Sequence, residues 1–260
     1  MKTSNHLLRR LTAALLAAVL ALSIALPVFA SDDGDTIYIN SVSDLLSLAR
    51  NCAYDQWSVG KTVILQKDLS LEGMLWEPIP SFSGQFKGNG HTISDLTITG
   101  QYSPAGLFGI VEEQGSIESL SVRGVVSVSD SADTTTGGIV GINHGTLISC
   151  QFTGVVTGDS EVGGIVGRNE SEGTIDHGTA RAIVTGKSST GGIAGYNLGA
   201  ITGCTNVGSI NTEYPEASLD TDGFTAKMVD YINNKMAAAD NDATNSVTNV
   251  ATDTGGIAGR

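Results

Sequence analysis

The chain has 260 residues, 33 of them glycine, and a formal net charge of −13 at pH 7. An acidic surface repels the phosphates of nucleic acids and the headgroups of anionic lipids, so we expect no nucleic-acid partner. Charged residues make up 16% and aromatic residues 5% of the chain. This composition favours a thin, repetitive scaffold over an enzyme with a large globular core.

The first 30 residues are typical of a secretory signal peptide. Basic residues precede an apolar run at 11–26, and residues 28–30 offer small side chains at the expected cleavage position. The run approaches the length of a membrane span, so an uncleaved anchor is the alternative. We expect cleavage near Ser31, no membrane insertion afterwards, and a secreted or cell-surface protein.

The segment that follows predicts two short strands and a helix. Residues 36–39 and 62–65 have the pattern of strands, and residues 43–50 have the pattern of a helix with Ser41 or Ser43 as its N-cap. A solenoid must cover its first exposed rung, and an amphipathic helix commonly does this. We therefore expect an N-terminal helical cap.

A glycine-framed block recurs down the chain. Counted from Gly106 through the second glycine of each later block, the steps are 32, 26, 28 and 64 residues. Self-similarity at such a period indicates a solenoid. The first three steps suit one turn each, and the last suits two turns or one turn with an insertion. The blocks lie at 106–109, 137–141, 163–167, 191–195 and 255–259.

A second repeat lies between the glycine blocks, and its apolar residues alternate in the manner of a strand. Stacked in register, such strands form apolar columns inside a parallel β-solenoid. The repeats are rich in Gly, Thr and Val, which disfavours a helical solenoid. We expect an all-β fold with one column of Ile93, Ile117, Leu147, Ile175 and Ile201, and another of Leu96, Leu120, Cys150 and Cys204.

Two of the three cysteines lie in the second predicted column. Cys150 and Cys204 are two rungs apart, which separates them by roughly 9–10 Å, beyond the ~7 Å limit for a disulfide. We expect them to pack as small hydrophobic side chains.

The variable part of each turn lies at one place, before the next glycine block. The longest variable segment is 213–244, and within it apolar residues at helical spacing predict an amphipathic helix at 224–238 that docks Phe224, Tyr231 and Ile232. This organisation gives a signal peptide at 1–30, a capping module at 31–80, solenoid repeats at 81–212, the helical insertion at 213–244 and an incomplete final repeat at 245–260.

The glycine blocks and the opening segment Phe82-x-Gly84-x-Phe86-x-Gly88-Asn89-Gly90-His91-x-Ile93 resemble the GLUG-motif repeat proteins of bacterial surfaces. The resemblance covers roughly residues 36–210 and 245–260. It implies a β-helix-like extracellular module of large, adhesin-like surface proteins. It supplies no catalytic residue, and it does not extend to the insertion.

Calcium binding has weak support in the sequence. The Asp220-Thr221-Asp222-Gly223 segment begins like an EF-hand loop, but Ser218 and Val229 occupy the positions of the first and last ligands. The only remaining candidates are loop sites at Asp159/Glu161 or at Glu170/Glu172. We expect no metal or cofactor site.

Polysaccharide cleavage would require carboxylates that converge on one face. Asp95, Glu118 and Asp176 are near neighbours in the predicted register, but Ile148 interrupts them. The histidines occupy turns and show no metal-binding spacing. We expect this face to be exposed to solvent, and we assign no catalytic residue.

Asparagines recur two residues after three of the blocks, at Asn143, Asn169 and Asn197. Asparagine tolerates left-handed turns and can hydrogen-bond to copies above and below it, so a structural role is expected.

These patterns predict a non-catalytic surface module for adhesion, ligand display or spacing, with an extracellular protein or glycan as its partner. The alternative is a carbohydrate-active β-helix enzyme, a polysaccharide lyase or hydrolase. The final block is cut within a turn, so we expect its open edge to be covered either by a continuation of the chain in a longer repeat protein or by self-association.

Overall fold

A computed structural model describes residues 35–54, 56–128, 134–211 and 254–258. These residues form a parallel β-solenoid, as the sequence predicted. A complete turn passes through four sheets in order. The strands of each sheet come from successive turns and pair in parallel. Consequently, residues at equivalent positions of successive turns stack in columns along the axis.

The first and second sheets contain most of the strand residues. The first consists of β1 (Thr36–Ile39), β2 (Thr62–Leu65), β5 (Gln85–Lys87), β8 (Ser116–Glu118), β12 (Thr146–Ile148), β16 (Thr174–Asp176) and β20 (Ala200–Thr202). The second consists of β3 (Leu69–Ser70), β6 (Thr92–Gly100), β9 (Ser121–Val128), β13 (Gln151–Thr157), β17 (Thr179–Thr185), β21 (Thr205–Asn206) and β22 (Ser209–Ile210).

The third and fourth sheets meet at the glycine blocks. The third consists of β10 (Thr135–Gly137), β14 (Glu161–Gly163), β18 (Thr190–Gly191) and β23 (Thr254–Gly255). The fourth consists of β4 (Ile79–Phe82), β7 (Phe108–Val111), β11 (Val140–Asn143), β15 (Val166–Asn169) and β19 (Ala194–Asn197).

The predicted N-terminal cap is a helix, α1 (Val42–Asn51), whose N-cap is Ser41. The Ser41 hydroxyl accepts a hydrogen bond from the backbone N–H of Asp44, which satisfies a donor at the helix start. Leu45 and Leu48 are buried, and the helix packs against β1 and β4. Of the residues that the structure describes, none belongs to a helix long and apolar enough to cross a membrane.

The first predicted column is correct for four of its five members. Ile117, Leu147, Ile175 and Ile201 stack in register, and the first three are fully buried. Ile93 was wrongly placed, because it pairs with Val122 in the second sheet.

Phe86 is the residue that stacks on Ile117 in that column. The corner that follows β5 holds two more residues than the corner after β8, and Asn89 and Gly90 there adopt φ values of +52° and +77°. This longer corner shifts the register of the next strand.

The second predicted column is also partly correct. Leu120, Cys150 and Cys204 stack at the corner between the first and second sheets, with Gly178 between the two cysteines. Leu96 was wrongly placed, since it pairs with Gly124 beyond a register shift in β6. All three cysteines of the chain are unpaired thiols.

The second glycines of the blocks form a column of close contacts. A Cβ atom at Gly138 would lie 2.5 Å from the carbonyl oxygen of Gly164. A Cβ atom at Gly164 would overlap the carbonyl oxygen of Gly192, and one at Gly192 would overlap that of Gly256. The space that a side chain would fill is therefore occupied by backbone of the next turn, and also by the Phe152 ring at Gly138 and the Asn206 side chain at Gly192, which explains why glycine recurs there.

Replacing Gly164 with alanine is expected to lower the free energy of unfolding by about 1–3 kcal/mol, because the new methyl group would displace the backbone of the next turn. Gly256→Ala is the matched control. It occupies the same position of its block, and a Cβ atom there would meet nothing within 4 Å. Urea unfolding followed by circular dichroism compares the two, and equal losses would contradict the close-contact explanation.

The last glycine block stacks directly on the block before it. Thr254 and Gly255 pair with Thr190 and Gly191, so the 64-residue step advances the third sheet by a single rung. The predicted helix at 224–238 lies outside the described residues, as does the predicted signal peptide.

Candidate functional site

The outer face of the first sheet carries a column of hydroxyl groups. Thr62, Ser116, Thr146 and Thr174 occupy equivalent positions of their strands, with Gln85 between Thr62 and Ser116. These side chains alternate with the buried column, so they point away from the core. Ser116, Thr146 and Thr174 follow one another at one rung of ~4.8 Å, which offers a repeated series of hydrogen-bonding groups.

A second outward column of the same sheet holds the acidic residues considered for catalysis. Glu118 and Asp176 align in register with Ile148 between them, as predicted. Asp95 lies elsewhere, where it accepts hydrogen bonds from the hydroxyls of Ser70 and Ser94. Lys87 is the residue that pairs with Glu118 on this face, so Asp95 is not the neighbour of Glu118 that the predicted register made it. The carboxylates on this face are thus separated by an apolar residue and flanked by a lysine.

The outer face of the second sheet is also dominated by polar, uncharged side chains. Ser121, Gln151 and Thr179 form one column. Beside it, Arg123, Thr153 and Arg181 form another, which places two guanidinium groups on this face.

The asparagines form a buried ladder in the fourth sheet. The side-chain amide of Asn143 donates to the side-chain oxygen of Asn169 at 2.7 Å, and Asn169 donates in turn to Asn197 at 2.8 Å. This confirms the predicted hydrogen bonding between copies. None of the three has a left-handed backbone, however.

The left-handed backbone occurs instead at the corner between the first and second sheets. Ser119, Ser149 and His177 each have a φ of +52° there. The ring of His177 also contacts Asp176 at 2.9 Å.

Three of the four acidic residues considered for calcium binding, Asp159, Glu161 and Glu170, contact basic side chains. Arg168 forms a two-pronged ion pair with Glu161 and contacts Glu170 at 3.5 Å. These contacts raise the pKa of Arg168, the hydrogen bond to Glu161 most strongly. Asp159 accepts from the ammonium group of Lys187 at 2.7 Å. Within the described ranges, no group of three or more His, Cys, Asp or Glu residues is arranged to hold a metal ion.

A polar cleft of about 460 Å³ lies beside the corner that follows the fourth sheet. Its acidic group Glu112 accepts a hydrogen bond from the Ser81 hydroxyl at 2.8 Å. Because the lining comes from segments far apart in the chain, repeat spacing did not predict this cleft. The lining residues are Gln56, Val59, Ser81, Ser83, Glu112, Glu113, Gln114 and His144.

The thiols have the properties of packed side chains. Burial raises the pKa of Cys150 to about 12 and that of Cys52 to about 11. Burial also raises the pKa of the half-buried Cys204. A raised pKa keeps a thiol protonated and weakly nucleophilic at neutral pH.

Part of this chain is similar in sequence to parts of two known proteins. Halomucin of Haloquadratum walsbyi is 30% identical over 155 residues, which is 55% of this chain and 2% of halomucin. A protein of Evansella cellulosilytica named as a Gly-rich membrane protein is 29% identical over 137 residues, 38% of this chain and 16% of that protein. The chain thus spans a small part of the length of these relatives. No family model matches it.

A solved structure is also similar. A protein from Bacteroides ovatus named as an immunoglobulin A1 protease shares 15% sequence identity, with a TM-score of 0.43. The similarity covers 70% of this chain and 79% of that one.

Proposed function

We propose that this chain is an extracellular, cell-surface β-solenoid module that binds a glycan without cleaving it. The observation that carries the proposal is the hydroxyl column on the outer face of the first sheet, at Thr62, Ser116, Thr146 and Thr174. Hydroxyl groups at a regular spacing can exchange hydrogen bonds with the repeated hydroxyl groups of a polysaccharide. The carboxylates beside the column are separated by Ile148, which disfavours acid–base catalysis on this face.

The surface location is supported by the two relatives. One is named as a Gly-rich membrane protein and the other is named halomucin, and the similarity to each lies within a much longer protein. The signal-peptide pattern at 1–30 and the resemblance to GLUG-motif repeats support the same location. A module of such a protein would extend or display a binding face away from the cell.

Binding to a panel of immobilised cell-surface polysaccharides tests the proposal. The wild-type chain is expected to bind at least one of them, and the double variant Thr146→Lys/Thr174→Lys is expected to lose at least tenfold in affinity. The matched control is Gln151→Lys/Thr179→Lys, which adds the same charge to the outer face of the second sheet and should retain binding. Absence of binding to every polysaccharide, or equal loss in both variants, would contradict the proposal.

Carbohydrate cleavage remains the second candidate because of the cleft beside Glu112. The cleft brings Glu112, Glu113 and the imidazole of His144 to one surface, and paired acid and base groups are what glycoside cleavage requires. Glu112→Gln removes one of these acids with little change of shape, and is therefore the variant that tests this candidate.

A further inference from the structure

The polar cleft beside Glu112 is built on a corner that is longer than its neighbours. Four residues connect β7 to β8, at 112–115, whereas two residues connect β4 to β5 and two connect β11 to β12. The backbone N–H of Glu112 donates to Phe82, and that of His144 donates to Val111, so these corners stack at successive rungs. The corner at 112–115 therefore extends beyond the two shorter corners and forms one wall of the cleft.

Another wall is the loop after the cap helix, which contributes Gln56 and Val59. This loop is held on the solenoid by a hydrogen bond of 2.9 Å from the backbone N–H of Ser83 to the Ser58 hydroxyl. It also packs closely, since a Cβ atom at Gly84 would lie 2.7 Å from the carbonyl oxygen of Ser58. The cleft is therefore formed without a ligand, and its volume of about 460 Å³ suits a small molecule or a sugar unit.

The cleft carries two carboxylates, those of Glu112 and Glu113. Among the described residues that line it, the imidazole of His144 is the only basic group. Neither glutamate forms an ion pair with a basic side chain within the described ranges, whereas Glu170, at the equivalent position two turns further on, pairs with Arg168. The charge of this cleft therefore favours a cationic ligand group.

The uncharged groups of the cleft are suited to sugar hydroxyls. The side-chain amides of Gln56 and Gln114 and the hydroxyl of Ser83 line it, and each of these groups can both donate and accept hydrogen bonds. The cleft also adjoins the hydroxyl column of the first sheet, because Ser116 and Thr146 begin the strands that follow two of the lining corners. A glycan on that column can therefore reach the cleft.

We propose that this cleft binds the protonated amino group of an amino sugar in the glycan. The carboxylates of Glu112 and Glu113 accept charge-assisted hydrogen bonds from the ammonium group, and the neighbouring amides and hydroxyl bind the hydroxyls of the sugar ring. The inference rests on the proposed function, because it requires a glycan along the first sheet. It narrows the ligand from polysaccharides in general to those with free amino groups.

Isothermal titration calorimetry of the full 260-residue chain at about pH 6, where glutamates are ionised, tests this inference. The probes are a tetramer of β-1,4-linked glucosamine and the same tetramer with every amino group acetylated, which lacks the charge. The glucosamine tetramer is expected to bind at least tenfold more tightly than the acetylated one. It should also bind at least tenfold more tightly than a lysine tetrapeptide, which has ammonium groups but no sugar hydroxyls. Equal affinity in either comparison, or no binding of the glucosamine tetramer, overturns the proposal.

The double variant Glu112→Gln/Glu113→Gln removes the charge of the cleft with little change of shape, and should lose at least tenfold in affinity for the glucosamine tetramer. The matched control is Glu170→Gln/Glu172→Gln, which removes the same charge from the equivalent corner two turns further on and should retain binding. Equal loss in both variants overturns the proposal. If the chain binds a neutral polysaccharide through the hydroxyl column but does not prefer the glucosamine tetramer, this inference fails and the proposed function stands.

Discussion

An aspartate in place of Ile117 is expected to lower the free energy of unfolding by about 3–5 kcal/mol. Ile117 is fully buried between Phe86 and Leu147 in the column of the first sheet. A carboxylate there would lose its hydration, and the surrounding side chains are apolar. Chemical denaturation followed by circular dichroism measures the loss.

The control for Ile117→Asp is Ser116→Asp, one residue earlier in the same strand. Ser116 belongs to the outward hydroxyl column, so an aspartate there remains hydrated and should change stability by less than about 1 kcal/mol. Comparable losses in both variants would show that the proposed inward and outward assignments of β8 are wrong.

Replacing Asn169 with leucine is expected to cost about 2–4 kcal/mol, although leucine is of similar size. Asn169 is fully buried, accepts from Asn143, and donates to Asn197 and to the backbone oxygen of Gly173. Leucine can make none of these bonds, and each buried polar group left without a partner costs about 1–3 kcal/mol. Thermal and urea unfolding would report the change.

Asn197→Leu provides the comparison within the same ladder. Asn197 is half-buried and has one asparagine neighbour among the described residues, so water can replace part of its bonding. We expect it to lose less than half as much stability as Asn169→Leu. If the end of the ladder were as sensitive as its middle, the hydrogen bonds between asparagines would not be the source of the effect.

Prediction from sequence succeeded where the pattern is local. The two strands at 36–39 and 62–65 and the capped helix between them follow from alternation and from a serine at the helix start. The register of Ile117, Leu147, Ile175 and Ile201 was also predictable, because the corners after these strands hold equal numbers of residues.

Prediction failed where corner length changes. One segment has the same pattern of residue types as the later repeats, namely Ile93-x-x-Leu96-x-Ile98-x-Gly100. The longer corner at Gly88–His91 nevertheless places this segment in the second sheet. The equivalent of Ile117 is Phe86, seven residues earlier than Ile93. The pattern of residue types alone does not distinguish the alignment of Ile117 with Ile93 from its alignment with Phe86, because both alignments put apolar residues at alternate positions.

The third sheet was not recognised as a separate sheet from the sequence. Its strands have two or three residues, such as Thr190–Gly191, and consist largely of threonine, valine and glycine. So short a strand has no detectable alternation, and its stability comes from pairing with the turns above and below. A threonine or valine precedes each Gly-Gly pair, and this recurrence was the available signal for the third sheet.

The candidate cleft was also not predictable from the sequence. Gln56, Ser81, Glu112 and His144 come from different turns and from the loop after the cap helix. Their proximity depends on how that loop packs on the solenoid, where the Ser58 hydroxyl accepts from the backbone N–H of Ser83 at 2.9 Å. Repeat spacing contains no information about such a contact, because the loop is not part of the repeat.

The most direct test of binding without cleavage measures both events on one sample. A polysaccharide that the purified chain binds would be incubated with it, and bound protein, new reducing ends and unsaturated sugars would be quantified over time. The proposed function predicts saturable binding with no product above the level of the polysaccharide alone. Product that accumulates with wild-type protein, and is lost with Glu112→Gln, would contradict a non-catalytic module and identify the cleft as an active site.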